Sequence, residues 1–373
     1  AAALVNGALP GETEGLTEAA CRQAAAFVAQ AAATRAPGEP VVVVEALSDE
    51  DVGRRTRLAV INDDMPFLVD SVANAVGAAG LDIHRLLHPV LAVRRDDTGR
   101  LRAILPDGSS GERRESMIYM EVERAEARVR RTLAADLAAI LNDVRAAVRD
   151  WPRLQIAMRD DAEHMPDGEG AALLRWFVDR HFTLLGHAVE TREGKRREGL
   201  GILADKQPVW NEGARAAAFA HFEGGGNSPL LLKADRLATV HRRAPLDLVV
   251  LPVRDKGALT GLSIHAGLWT SAALAAAPDK VPVLRTRLAM LEEKYGFDPS
   301  GHAGKALRHA LSSLPHDLLI AMPPAALEQL ALTSMALADR PRPRLVFAPD
   351  MLRRHLFAFA WLPREEFSTA RRL

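Results

Sequence analysis

The sequence predicts an α+β protein: a ferredoxin-like split βαβ module, then an antiparallel-sheet α+β module, then a helical segment. Three observations carry this. The stretch Arg57–Val72 passes from a strand pattern through a polar turn directly into a helical one. From about Arg128, apolar residues recur at helical spacing as far as Trp151. Between Thr183 and Leu268 short apolar runs follow one another closely with turn signals between them, as in an antiparallel sheet.

The elements follow in order. Residues 1–14 carry Gly, Pro and Glu and form a loose lead-in, after which Thr17 caps a helix running to about Ala33. Thr34–Pro40 breaks it, and Val41–Val44 is a short strand without alternation, either buried on both faces or packed at an edge. Leu58, Val60 and Ile61 supply strand residues, Asn62, Asp63 and Asp64 supply turn and cap chemistry, and Pro66 suits the first helical position. Leu68, Val72, Ala75, Val76 and Ala79 then line one helix face, which Gly80 ends. Leu81–Arg95 is a long strand bent at Pro89, Leu101–Leu105 and Ser116–Val122 are further strands, and 106–115 is a polar loop. The helix from Arg128 closes at Pro152, and Asp160–Gly170 is acidic and aperiodic, the best internal linker.

A helix at Ala171–His181 opens the next unit, followed by strands at Thr183–Glu190, Leu200–Ala204, Leu237–His241, Leu246–Arg254 and Leu259–Leu268. Helices at Val281–Tyr295, Gly304–Leu314 and Ala325–Ala338 come next, then a linker at Asp339–Arg344. Leu345–Phe347 and Leu356–Trp361 form a hairpin, and Pro363–Leu373 begins another turn into a helix. A module with only two strands and the start of a helix folds poorly alone, so this reads as a fragment of a longer protein.

Composition narrows the function. A chain of 373 residues suggests two or three domains, and 48% hydrophobic with 26% charged residues excludes disorder as the default. Its 48 basic and 48 acidic residues cancel, which argues against a nucleic-acid or anionic-membrane binder. The repeated arginine pairs are dispersed beside acids and read as solvated surface. The single cysteine, Cys21, cannot form an intramolecular disulfide and fits a reducing, cytoplasmic setting. No run approaches the roughly 20 apolar residues of a membrane helix.

Few motifs suggest chemistry. Gly301–Ala306 imitates a phosphate loop, but its glycines are too close and Ala306 stands where Ser or Thr would bind Mg²⁺. His84 and His88 lie on a strand pattern, where four residues span roughly 13 Å, too far for one zinc ion. His181, His187, His241, His265, His302 and His309 are scattered without ligand spacing. Asp63, Asp64 and Asp70 invite a carboxylate-pair reading, but helix capping and the macrodipole account for them more simply. The turn Asn62, Asp63, Asp64, Met65, Pro66, Phe67 is therefore the one candidate site, for an effector or an interdomain contact, because free amides at a strand-to-helix turn suit an anionic group. No catalytic, cofactor-binding or metal-binding residues are expected.

Taken together, Asn62–Val72, Ile83-His84, His88–Leu91, Glu115–Tyr119, Asp143–Val148 with Trp151, His181–Gly186, Gly199–Leu203, Thr239–Arg242, Gly267–Ala272, Gly296–Pro299 and Gly304–Leu307 resemble the N-terminal region of the large bacterial NAD-specific glutamate dehydrogenases. The likeness runs from about residue 40 nearly to the end. It implies an ACT-like domain at 41–160 after a helical lead-in at 1–40, and a PAS-like antiparallel-sheet domain at 161–275. It further implies a helical segment at 276–340 packing on that domain, and the start of a second, truncated ACT-like domain at 341–373. ACT domains that bind amino acids usually keep a glycine just after the proline of this turn, where Phe67 stands here, and a buried ring would block a ligand.

The resemblance implies a non-catalytic regulatory and assembly region, with NAD used only in a catalytic domain of the parent enzyme that is absent from these residues. Its partners are then the rest of the polypeptide, further copies through a homo-oligomeric parent, and an amino-acid effector; neither nucleic acid nor membrane is expected. The alternative is a free-standing amino-acid-sensing ACT protein.

Overall fold

Two short helical turns, α1 (Ala2–Val5) and α2 (Pro10–Thr13), lead into α3 (Glu18–Ala32) in the computed structural model. Thr17 caps α3, its hydroxyl accepting from the Ala20 amide at 3.2 Å. The structure describes residues 1–49, 53–105, 113–166, 168–205, 207–338 and 340–363. They form two units, Ala1–Val148 with Ala238–Ala244, and Arg149–Leu237 with Pro245–Leu373.

In the first unit the strands are β1 (Val41–Asp49), β2 (Gly53–Asp63), β3 (Ile83–Leu87), β4 (Val90–Arg95), β5 (Leu101–Ile104) and β6 (Arg113–Val122). Helix α4 (Leu68–Ala78) follows β2, and α5 (Ala127–His164) follows β6. The sheet order is β1-β2-β6-β4-β5, with β3 pairing β6 beside β4, and every pairing is antiparallel. The strand expected over Leu81–Arg95 is thus split at His88-Pro89. Proline has no amide to pair, yet the Pro89 carbonyl still accepts from Met117 at 3.0 Å and keeps both halves on β6.

A βαββαβ chain returns a last strand after its second helix to the free edge of its first strand. Here that edge is held by β1, which comes before β2 in sequence. The unalternating Val41–Val44 run is accordingly an edge strand, and its residues are half-buried. Alternation along β2 and β6 sends Ala59, Ile61, Met117 and Tyr119 to one face, where they pack with Phe27, Val28 and Ala32 of α3. Leu58, Val60, Ile118 and Met120 point the other way and are equally inaccessible. The buried stripes of α4 (Leu68, Val72, Val76) and α5 (Leu133, Leu137, Leu141, Val144) are the apolar faces that suit this side.

The helix expected to close at Pro152 instead continues to His164, with Pro152 inside it. A proline removes one hydrogen bond, but Leu154, Met158 and Ala162 prolong the buried stripe and hold the helix together. The segment expected as a linker, Asp160–Gly170, is therefore largely helical: it ends α5 and starts α6 (Glu169–Trp176).

The second unit carries β7 (Phe182–Glu190), β8 (Arg196–Gly201), α7 (Glu212–Glu223), β9 (Leu230–Leu237), β10 (Pro245–Asp255) and β11 (Ala258–Trp269). Their antiparallel order is β8-β7-β11-β10-β9. The strand expected at Leu200–Ala204 lies earlier, in β8, and the one expected at Leu237–His241 is instead β9, because Ala238–Ala244 leaves the sheet. The short helix α8 (Ser271–Ala275) leads to α9 (Leu284–Tyr295), α10 (His302–Ser312), α11 (His316–Ala321) and α12 (Pro324–Ala338). These helices share one core with the sheet, centred on Phe177, Phe182 and Trp269, with Trp269 edge-on to Phe177 at 5.0 Å. The hairpin β12 (Arg344–Pro349) and β13 (Leu356–Trp361) stands where it was expected. The loop at 106–112, linker residue 339 and the helix start at 364–373 lie outside the described residues.

Candidate functional site

At the end of β2 the side chains of Asn62 and Asp63 are used by arginines rather than by helix amides. Asp63 accepts from Arg35 at 2.6 Å, Arg113 at 2.9 Å and Arg145 at 2.7 Å, while Asn62 Oδ1 accepts from Arg145. Glu115, directly across the ladder from Asp63, takes Arg35 at 2.8 Å and is gripped by two nitrogens of Arg95, at 2.8 and 2.7 Å. Arg35 and Glu115 are fully buried. Burial alone would push both carboxyls up, but the guanidinium hydrogen bonds outweigh it: Asp63 is held at about 2, and Glu115 below its ordinary value by Arg95 and Arg35.

This charge network makes the first unit acid-sensitive. The folded unit binds the Asp63 proton less readily than the unfolded chain, whose aspartates titrate near 3.8. The resulting stabilisation, roughly 2 kcal/mol, is present above that range and lost as the pH falls through it toward 2. We expect amide exchange in β2 and β6 to rise over this interval, and Asp63→Asn to flatten that part of the profile.

Across the turn, the Asp64 amide donates to the Arg114 carbonyl at 3.1 Å, and its carboxylate lies exposed 4.0 Å from the Arg114 side chain. The caps expected from Asn62 and Asp64 are not formed, and Pro66 lies before the helix rather than in it. The N-cap is Phe67, with φ +71° and no side-chain cap. This is the left-handed conformation that glycine adopts freely, so the position keeps the backbone geometry of a glycine turn while carrying a ring. Met65 and Phe67 are half-buried and Pro66 is exposed.

The start of α4 is covered by the segment Ala238–Ala244. The His241 ring lies 5.4 Å from that of Phe67, and its Nδ1 is 2.9 Å from Asp70. The His241 amide donates to Ser71 Oγ at 2.9 Å, and Asn74 donates to the His241 carbonyl at 2.8 Å. Thr239 donates to Asp143 at 2.6 Å. Phe67→Gly should be more stable than Phe67→Ala by about 1 kcal/mol in urea unfolding, since both lose the ring and only alanine keeps the left-handed strain.

His88, between β3 and β4, is hydrogen-bonded to Ser116 at 2.7 Å, whereas His187 and His265, which lack ligand spacing in the sequence, come together. They face each other across β7 and β11, rings stacked at 4.6 Å. Asp161, from the last turn of α5, accepts from His265 Nε2 at 2.7 Å and Ser263 Oγ at 2.5 Å, and His187 Nε2 lies 3.0 Å from the same hydroxyl. Burial and the neighbouring His265 push the His187 imidazole down to about 3, and the His265 hydrogen bond holds Asp161 low against the effect of burial. Asp161 sits in the supposed linker and looked like one acid among several. Strand register brings the two histidines together, and the end of α5 carries Asp161 to them.

A second buried group in this unit joins Lys233 to Asp247 at 2.5 Å and Asp317 at 2.6 Å. Burial pushes the Asp247 carboxyl up to about 6. The imitation phosphate loop is the start of α10. There a Cβ on Gly304 would lie 2.2 Å from the Asp298 carbonyl, so the glycine serves packing. Among the described residues no helix is long and apolar enough to cross a membrane.

An antiparallel sheet with helix α4 after its β2 strand and α5 after its β6 strand, entered through a polar strand-to-helix turn, defines the first unit as an ACT-type module. Residues 1–137 match the family model of the glutamate dehydrogenase ACT1 domain, and residues 281–340 that of glutamate dehydrogenase helical motif 1. The NAD-specific glutamate dehydrogenase of Halomonas elongata is 30% identical over 348 residues, and that of Pseudomonas aeruginosa 31% over 345, each covering 85% of this chain. The chain belongs to the family of large NAD-specific glutamate dehydrogenases and corresponds to its N-terminal region. It spans 21% of the length of these relatives. A solved RNA-binding light-oxygen-voltage receptor aligns over 79% of this chain and 90% of its own at 13% identity, but a TM-score of 0.15 carries no argument about fold or ligand.

Proposed function

We propose that this chain is a non-catalytic regulatory and assembly region of an NAD-dependent glutamate dehydrogenase. On this reading other parts of the polypeptide bind NAD and convert L-glutamate and water to 2-oxoglutarate, ammonium and NADH. The observation that carries it is how the turn Asn62–Phe67 is used. Asn62 and Asp63 are committed to Arg35, Arg113 and Arg145, and Phe67 and the start of α4 to the His241 segment. The turn is spent on fixing chain segments, and an amino-acid effector at the start of α4 would compete with His241 for Phe67, Asp70 and Ser71. The strand order of the second unit, 2-1-5-4-3 when counted within its sheet, with α7 between its second and third strands, supports a PAS-like reading of that module.

The partners on this reading are the remainder of the polypeptide and further copies of it, in the cytoplasm. The purified chain should give no glutamate-dependent reduction of NAD, whereas the full-length enzyme should; turnover by the chain alone would overturn the proposal. In the full-length enzyme, His241→Ala should change the response to glutamate concentration without abolishing turnover, and unchanged kinetics would remove the regulatory role. A thermal-shift screen against amino acids, repeated on Asp64→Ala, tests for an effector at the turn: no stabilisation by any amino acid would leave the turn as a structural contact, and stabilisation lost in the variant would place an effector there.

A further inference from the structure

We propose that Asp161, His187 and His265 form a binding site for one borderline divalent transition-metal ion of the zinc class. One ligand atom from each lies within 4.8 Å of the other two. The fold builds this convergence from three elements. His187 and His265 are register partners on β7 and β11, so their side chains leave the same face of the sheet side by side. The last turn of α5 carries Asp161 against them, next to Ser263, which shares the face of His265 two residues away.

A hydrogen-bonded network alone leaves this group incomplete. His265 is fully buried and His187 is 6% exposed, yet Nδ1 of each has no partner. Buried polar atoms are nearly always paired, so each ring is only half satisfied, and Nε2 is the nitrogen it turns toward the Asp161 and Ser263 oxygens where an ion would sit. Two imidazoles and one carboxylate match zinc and its first-row neighbours, whereas calcium and magnesium prefer all-oxygen shells.

The present spacing also fits an ion that enters from the Asp161 side. Ligands at 2.0–2.1 Å from one tetrahedral ion are roughly 3.3 Å apart. The 2.7 Å separation of His265 Nε2 and Asp161 Oδ2 must therefore open by about half an ångström. Asp161 is three residues from the end of α5 and its side chain is 24% exposed, so it can make that movement and provides the path from solvent. A water completes the coordination, and the ion pins the end of α5 to the two central strands.

The test uses the whole chain, stripped of metal and titrated with Zn²⁺ against a chromophoric chelator, with Asp161→Asn and His187→Gln in parallel. One equivalent should bind, the melting temperature should rise with Zn²⁺ over EDTA, and each variant should lose affinity by more than roughly 100-fold, beyond the losses typical of outer-shell changes. X-ray absorption at the zinc edge of the wild-type complex should show two imidazoles, a result that does not depend on any variant folding. Failure to bind one equivalent at micromolar Zn²⁺, equal binding by Asp161→Asn, or a shell without two imidazoles would each overturn the proposal.

Discussion

Replacing Glu115 by alanine should lower the stability of the first unit by about 3–5 kcal/mol, the cost of leaving buried charge uncompensated. Glu115 is the only carboxylate that holds both Arg35 and Arg95 among the ion pairs of the described residues, and neither guanidinium can turn to water: their side chains are 0% and 5% exposed. Arg35 would keep Asp63, and Arg95 would keep the carbonyls of Ala32 and Gly99. Asp63 is already shared with Arg113 and Arg145, and Arg95 would be left with carbonyl oxygens in place of a carboxylate. Glu115→Gln should cost less, because the amide oxygen still accepts while the charge is lost. All five tryptophans, Trp151, Trp176, Trp210, Trp269 and Trp361, belong to the second unit, so their fluorescence is blind to this change. Amide exchange along β6 reads it. A loss below about 1 kcal/mol would put the network on a par with exposed ion pairs.

Gly201→Ala should cost the second unit more than about 3 kcal/mol, and here tryptophan fluorescence in urea is the probe. Gly201 ends β8 with φ +57°, and an added Cβ would sit 2.1 Å from the Leu185 carbonyl oxygen. The obstacle is backbone of the neighbouring strand, paired through Gly186 and Gly201, so nothing flexible can yield. The Gly201 amide also donates to the buried Asp150 carboxylate at 2.9 Å, and a displaced backbone would lose that charge-assisted bond, leaving the carboxylate to the exposed Arg149 and Arg153. Gly296→Ala is the control. Gly296 has φ +63° after α9 but faces open space, so only the left-handed strain of about 1–2 kcal/mol applies.

The strand, turn and helix around Asn62 were legible because the apolar period changes from two to about 3.6 at Pro66. Their capping was not, since the positive φ of Phe67 is imposed by packing and no residue type announces it. The continuation of α5 was hidden by Pro152 and by the acids around Asp161, although Leu154, Met158 and Ala162 carry its stripe onward. Helix α7 and strand β9 were missed for opposite reasons: an alanine-rich helix has little amphipathic contrast, and Leu230–Leu232 is flanked by glycines, serine and proline that read as loop. The Asp161, His187 and His265 cluster lay beyond sequence spacing altogether. Imidazoles on separate strands become neighbours only through register, which no local pattern encodes.

The edge position of β1 bears on how the protein is made. In a βαββαβ chain the sheet stays one strand short until the end of the module has been synthesised. Here the strand at that edge is translated first and pairs with β2 through a short connection, so the sheet has all its strands once Val122 is made. Closing the β1–β2 pair demands little loop entropy, and a growing chain can assemble the sheet before α5 is complete. A nascent-chain proteolysis series should find β1 to β6 protected at lengths where α5 is still being extended.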